Sequence, residues 1–558
     1  MTAAQPAPAV AASAQPAPLT HRQVVTILSG LMMGMFLAAL DQTIIASSIR
    51  TISDDLHGLS LQAWATTAYL ITATISTPLY GKLSDIYGRK QFFLAAISIF
   101  LLGSALCGFA SSMYELAAFR AVQGIGAGGL FSLALAIIGD IVPPRERARY
   151  QGYFLAVFGT SSVLGPVVGG LLAGQDQILG ITGWRWVFFV NLPIGLAALV
   201  VVSKVLNIDH VRRDHRIDWE GALALVIALV PLLIVAEQGR AWGWTSAGSV
   251  ACIAVGLVGI VLFVLAERRA REEALLPLRM FGNRTFGIGT LLNFVIGMGM
   301  FGGLAALPLY LQLVKGATPT EAGLQLLPLT FGIMTASVVS GQAISRTGRY
   351  KIYPVIGSGL LVIGALLLSR LGADTPYWQT AAYMAVFGFG LGLNMQPLVL
   401  AIQNAVSPRD MGVATSSATF FRQMGGTVGT AVFLSILFSS AADKIAGAFQ
   451  RIAPTAAFQS ALHDPAVLAN PANAPVVDTI NAARGGGSAS LPSGVLDDSS
   501  FLLHMDPRLA RPFLVGFAES IDLVLLVGAA VLAIAFVLTW FLPEVPLRTS
   551  SGMAAARA

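Results

Sequence analysis

Apolar runs of about 18 residues or more recur along this chain between residues 24 and 541. That recurrence constrains the fold more than any other feature. A helix rises about 1.5 Å per residue, so each run matches the ~30 Å hydrocarbon core of a bilayer. In lipid, only helices and closed barrels satisfy their own backbone groups, and the polar/apolar alternation of a barrel strand is absent here. Charge agrees: 11% of residues are charged and mean hydropathy is +0.73, against about 25% charged in soluble domains. The chain reads as an all-α integral membrane protein.

Fourteen spans are expected, at 24–48, 61–81, 91–110, 113–139, 150–173, 186–206, 219–237, 248–267, 286–313, 320–344, 352–371, 379–406, 412–440 and 512–541. An even number puts both termini on one side. Alternate connections hold the basic clusters, among them Lys82/Arg89/Lys90, Arg145/Arg147/Arg149, Arg268/Arg269/Arg271 and Arg346/Arg349/Lys351. The positive-inside rule makes that side, and both termini, cytoplasmic. The net charge of +6 is therefore a topology signal and argues for no nucleic-acid partner. Residues 1–21 and 543–558 read as cytoplasmic tails, the first disordered and Ala/Pro-rich. The segment 441–511 reads as an extracytoplasmic loop that suits a lid or an extracytoplasmic partner. Cys107 and Cys252 fall inside apolar runs, and all six histidines fall outside them. No metal, cofactor or enzymatic constellation is expected.

The loop "GKLSDIYGRK" (81–90) has a second copy in "GQAISRTGRYK" (341–351), and "PPRERA" (143–148) is echoed by "SPRDMG" (407–412). Both landmarks follow even-numbered spans, in order, about 260 residues apart. Duplication of this kind is typical of secondary transporters, which rock one half against the other around a midplane site. The expected units are a first six-helix bundle (22–206), two inserted central helices (207–285) and a second bundle (286–542).

With "LDQTIIASSIRTI", "WATTAYLITATISTPLYGKLSDIYGRK", "RAVQGIGAG", "GTSSVLGPVVGG", "WRWVFFVNLPIG" and "FRQMGGTVG" in that order, the chain resembles the major facilitator superfamily. More narrowly it resembles the fourteen-span drug:proton antiporters of the EmrB/QacA type. The resemblance implies a plasma-membrane exporter whose only energy source is the proton gradient. It also implies a gate motif at Gly81, Asp85, Gly88, Arg89 and Lys90, with Asp85 meeting the N-terminus of the facing half's helix near Gly412. Helix N-termini carry partial positive charge, so the contact is physically reasonable. The second copy keeps Gly348 and Arg349 but has Ser345 where the first has Asp85, which implies an asymmetric latch. Gly165, Pro166, Gly169 and Gly170 resemble the antiporter motif. Read without the family, small residues there let helices approach closely and Pro166 bends one.

Asp41 lies about seven residues before the outer end of span 1, and Arg120 about seven after the outer start of span 4. Both therefore sit about 10 Å below the outer boundary. A charge at a span centre costs about 2.5–3.5 kcal/mol on insertion scales, and such residues usually line a pathway. The pair is read as the proton-coupling site, with a structural ion pair as the bland alternative. Arg422, Asp522 and its neighbour Glu519 form a second candidate charge group. Trp184, Arg185 and Trp186 read as interface-belt residues.

Candidate cavity residues are Met35, Phe36, Trp64, Tyr69, Asn293, Asn394 and Gln396, although polar residues in spans equally serve as helix–helix glue. An apolar cavity with a carboxylate suits lipophilic, often cationic drugs or antibiotics. The alternatives are export of a lipid or self-made metabolite, and proton symport. A receptor or membrane-embedded enzyme is opposed by the duplicated gate loops. Small lipophilic molecules and membrane lipids are the expected partners.

Overall fold

The computed structural model describes residues 21–57, 62–206, 218–474, 476–477, 502 and 504–547; the tail 1–20 and most of 478–503 lie outside them. The chain is almost wholly helical, with one two-residue strand pair, Gln177–Ile178 against Ile181–Thr182. The first half contains α1 (His21–Asp55), α2 (Gln62–Tyr87), α3 (Arg89–Gly108), α4 (Met113–Ile141), α5 (Pro144–Ala173), α6 (Trp186–Phe189) and α7 (Asn191–Val205). Then come α8 (Trp219–Trp242) and α9 (Ala247–Ala270). The second half contains α10 (Arg284–Leu309), α11 (Pro319–Gln325), α12 (Leu327–Thr347), α13 (Ile352–Leu368), α14 (Tyr377–Ala405) and α15 (Met411–Ile452). Short α16 (Ala456–Leu462) and α17 (Pro465–Leu468) precede α18 (Pro507–Trp540).

Among the described residues, eleven helical segments are long and apolar enough to cross a membrane, so the protein is a multi-pass membrane protein. The fourteen expected spans exceed this by α2 and by two shorter apolar helices, 157–173 and 352–368. Helix α2 is rich in hydroxyls, which fold back onto their own helix: Thr72 Oγ1 donates to Ala68 O and Thr77 Oγ1 to Ala73 O. Back-bonding of this kind lets a threonine-rich helix lie buried with most of its hydroxyls satisfied, Thr67 Oγ1 being the exception on α2.

The two halves pack alike. In the first, α2 and α3 pack on α4, α1 on α5, and α7 on α1 and α3. In the second, α12 and α13 pack on α14, α10 on α15, and α18 on α10 and α13. The halves meet along two seams, α2 against α15 and α5 against α12, which the same correspondence exchanges. Helices α8 and α9 pair with each other, and α8 leans on α2 and α15 through Leu225, Leu229, Leu233, Ile71, Ile75 and Phe420.

Two sequence expectations about element ends change. Helix α15 has 42 residues and α18 has 34, about 63 and 51 Å at 1.5 Å per residue, so both run beyond the bilayer thickness. Part of the expected loop 441–511 is thus helix, and α16 and α17 cap the second bundle through Phe458, Ala461 and Val467. Trp184 is not a belt residue: it is buried and donates Nε1 to Asp55 Oδ2 at 2.8 Å. Arg185 donates to the carbonyls of Gly108 and Ala110, and Trp186 donates to Ile178 O. The three residues tie the outer loops together, to the end of α1, to the carbonyls after α3 and to the strand pair.

Candidate functional site

The carboxylate of Asp41 on α1 is completely shielded, at 0% exposure, as is Arg120 on α4 at 1%. Arg120 Nη1 donates to Asp41 Oδ2 at 2.6 Å. The other carboxylate oxygen accepts from Gln123 Nε2 and Asn191 Nδ2, both at 2.8 Å. Arg120 also donates to Gln123 Oε1 at 2.7 Å and to Ala65 O at 3.3 Å, and its guanidinium lies 4.1 Å from the ring centre of Tyr69. Asn191 extends the network to Ser104 Oγ at 3.0 Å. Five helices, α1 to α4 and α7, therefore converge on one ion pair. Gln123 stands three residues after Arg120, which places both on one helix face. A buried pair with its remaining lone pairs satisfied escapes most of the desolvation penalty that isolated charges suffer.

Gln123, Asn191 and Ser104 were not singled out from the sequence. Gln123 and Asn191 stand within quoted motifs, "RAVQGIGAG" and "WRWVFFVNLPIG". An amide one turn from an intramembrane arginine was the available signal.

The cytoplasmic seam holds a second network. Asp85 is at the end of α2, and its two oxygens accept the backbone N–H groups of Gly412 at 3.2 Å and Val413 at 3.1 Å. These are donors of the first turn of α15 that no helical carbonyl can reach. Arg89 pairs with Asp85 and, at 2.7 Å, with Asp140 of α4. A Cβ at Gly412 would press on Arg89 Nη1 and stand 2.6 Å from the Asp85 carboxylate, so any larger residue requires this ion pair to shift. Gly88 and Gly348 have φ of 110° and 72°, left-handed conformations that favour glycine; this is what the repeated Gly-Arg provides. The copies differ beyond that, since Arg89 is buried whereas Arg349 is exposed. Lys90 Nζ donates to Ser203 O of α7.

Arg147 adds a crossing at the same end that the sequence did not reveal. It is buried and donates to Val142 O and Gly139 O, the free carbonyl end of α4. It also reaches Gln403 Oε1 of α14 at 3.1 Å. Gln403 donates in turn to Leu135 O of α4 and to Thr415 Oγ1 of α15.

Gly165 and Gly169 of α5 abut Thr43 and Ser47 of α1, and Thr43 Oγ1 donates to Ser161 O at 3.0 Å across that contact. Pro166 and Gly170 face the other half, toward Gly323 and Thr320.

Several cavity candidates lie elsewhere. Met35 is a core residue of the first bundle, and Phe36 packs beside it. Tyr69 is buried beneath Arg120 and stands twelve residues, about 18 Å, from the gate loop. Trp64, half-buried, lies farther still toward the outer end of α2. Asn394 is buried against Gly357 of α13 and donates to Gly390 O of its own helix. Asn293 likewise donates to Gly289 O, and Gln396 is buried. Short amides turn back to the preceding turn when no better acceptor is offered.

The second charge group does not assemble. Glu519 pairs with Arg451 at the outer end of α15. Gly516 opposes Ile445 and Gly528 opposes Phe433, so antiparallel α18 sets Asp522 level with Ser439. Arg422 is seventeen residues lower, about 25 Å away. Helix α15 begins at Met411, where it was expected to, but α18 begins at Pro507 and lies against α15 so that Asp522 stands near the outer end of the expected span; the depth count misplaced Asp522.

The Major Facilitator Superfamily model matches residues 31–430. An uncharacterized MFS-type transporter from Mycobacterium tuberculosis is 36% identical over 93% of this chain and 70% of its own length. The multidrug transporter protein MdtP of Bacillus subtilis is 37% identical over 74% of this chain and 75% of its own. Among solved structures, the proton:xylose symporter XylE superposes with a TM-score of 0.57 at 15% identity, covering 97% of this chain and 100% of that one; this likeness concerns the fold alone.

Proposed function

The chain belongs to the major facilitator superfamily, and from that premise we propose that it exports lipophilic compounds, drugs or antibiotics among them, across the plasma membrane in exchange for protons. The observation that carries the reading is the fully enclosed Asp41–Arg120 pair, an intramembrane acid with its counter-ion on a neighbouring helix. Relatives named as multidrug transporters support the direction and class of transport.

In the mechanism proposed, Asp41 is ionised while Arg120, Gln123 and Asn191 hold its two oxygens. Relative movement of α1 and α4 withdraws those donors, and the carboxylate then takes a proton, since an unpaired buried charge is strongly disfavoured. Regaining the donors expels the proton. A 100 mV potential contributes about 2.3 kcal/mol per charge moved, enough to drive export against a gradient of a few tens-fold.

The cytoplasmic contacts give alternation its latch. Asp85 on the first turn of α15 and Arg147 on Gln403 join the halves at the inner end, which corresponds to a stage of the cycle closed toward the cytoplasm. Opening toward the cytoplasm requires both contacts to part.

The expectation of an often cationic cargo rested on a carboxylate in an apolar cavity; in this arrangement both oxygens of Asp41 are engaged by the protein's own donors. Growth of a pump-deleted bacterium expressing this chain on a panel of toxic compounds, with and without a protonophore, tests the reading. Protonophore-sensitive resistance is expected; sensitivity unchanged across the panel contradicts it.

A further inference from the structure

Arg422 is the twelfth of the 42 residues of α15, half-buried. Its neighbours on that helix define where it points. Ser416 and Gln423 face α2, through Gly81 and through Thr77, whose Oγ1 donates to Gln423 Oε1 at 3.4 Å. Gly425 and Gly429 face α10, against Phe294 and Met298. At about 100° per residue, Arg422 projects between these two faces, beside the seam where the halves meet. Gly297 of α10 makes room for its backbone.

The other arginines buried within the bundle are engaged: Arg89 with two aspartates, Arg120 with Asp41, Arg147 with carbonyls and Gln403. Among the described residues, no carboxylate lies within ion-pair distance of Arg422, and no hydrogen bond to its side chain is formed. The sequence explains why. Of the helices packed on α15, α10 and α14 contain no Asp or Glu; those of α2 (Asp85), α4 (Glu115, Asp140) and α8 (Glu220, Glu237) stand toward the helix ends, and those of α18 (Glu519, Asp522) stand toward the outer end. A guanidinium kept within a membrane bundle without a partner is strongly disfavoured unless an anion arrives. Its planar fork matches carboxylate, sulfonate and phosphate oxygens two at a time.

We propose that Arg422 receives an acidic group of the cargo, so that lipophilic carboxylates, sulfonates or phosphates belong to the transported class. This rests on the export reading for the path but not for the binding. Gln423, the next residue, touches α2 of the other half, so an anion seated on Arg422 adjoins the contact that must change for the halves to rock.

The test measures binding of 1-pyrenebutyrate and of its uncharged counterpart 1-pyrenebutanol to purified full-length protein at pH 7.5, by energy transfer from tryptophan to pyrene. The wild type is expected to bind the carboxylate about tenfold or more tighter than the alcohol, the range of a charge-assisted bidentate contact. Arg422→Gln should make the two affinities equal by weakening only the carboxylate, and Arg422→Lys should reduce the preference several-fold. Equal affinities in the wild type, or a preference unchanged in Arg422→Gln, overturn the proposal. Should Arg422→Gln fail to fold, Arg422→Lys decides, an unchanged preference being the contrary result. Proton-driven ethidium efflux is measured in parallel: efflux without anion preference removes this inference alone, and preference without efflux removes the export reading alone.

Discussion

Asn191 of α7 donates to the same carboxylate oxygen of Asp41 that Gln123 of α4 holds, both at 2.8 Å. Together with Arg120 on the other oxygen, they make the acid of α1 a junction of three helices. Replacing either amide by an apolar isostere leaves an oxygen of a buried anion short of a donor, a loss of about 1.5–3 kcal/mol. Gln123→Leu and Asn191→Leu are each expected to slow proton-driven efflux about tenfold or more while the protein still elutes as a folded species. Efflux rates in vesicles, normalised to protein incorporated, check this.

The latch at the inner end leads to a population shift. Asp85→Asn replaces two charge-assisted bonds to Gly412 and Val413 with weaker ones. A change of one or two kcal/mol alters a two-state ratio by about 5- to 30-fold. Spin labels at Glu146 on α5 and Arg346 on α12, both exposed at the cytoplasmic end, should show longer distances gaining population in Asp85→Asn.

Gly412→Ala approaches the same latch from the opposite side. The added Cβ would press on the Asp85 carboxylate at 2.6 Å, so the same labels should report the same shift with every charge retained. If only Asp85→Asn shifts the distances, the close approach is not what holds the seam.

The pair Arg451–Glu519 leads to the opposite expectation. It is partly exposed at the outer end, at 57% and 32%, and ion pairs of that kind contribute about 0–1 kcal/mol. Glu519→Gln should leave efflux unchanged and alter stability by less than about 0.5 kcal/mol, as measured by thermal unfolding in detergent.

Much of this arrangement was legible in the sequence because helix geometry is additive. Equal distances from two span ends put Asp41 and Arg120 at one depth, and they are in contact. The repeated Gly-Arg was legible as a duplicated loop; that its glycines, Gly88 and Gly348, take left-handed φ is what the structure adds. The same arithmetic failed for Asp522, because α18 begins at Pro507 and α15 continues to Ile452, both past the apolar stretch, and a hydropathy boundary is not a helix boundary. Asn191 and Ser104 stayed hidden for a different reason: which face of α7 or α3 turns inward depends on packing between distant helices. Trp184 was misread because an aromatic near an interface has the same sequence signature whether it meets lipid or is itself buried and donates to an aspartate at a helix end. Arg147 looked like one basic residue in a topology cluster; its contact with Gln403 joins residues 256 apart.

The central claim is that Asp41 exchanges its proton as it leaves and rejoins Arg120. Asp41→Asn keeps the shape and hydrogen-bonding capacity of the side chain but cannot ionise. The most direct measurement is transport in proteoliposomes with and without an imposed pH gradient, comparing wild type with Asp41→Asn at equal incorporation. The expected result is loss of gradient-driven accumulation in the variant, with cargo counterflow retained. Accumulation that still follows the pH gradient in Asp41→Asn would contradict the account.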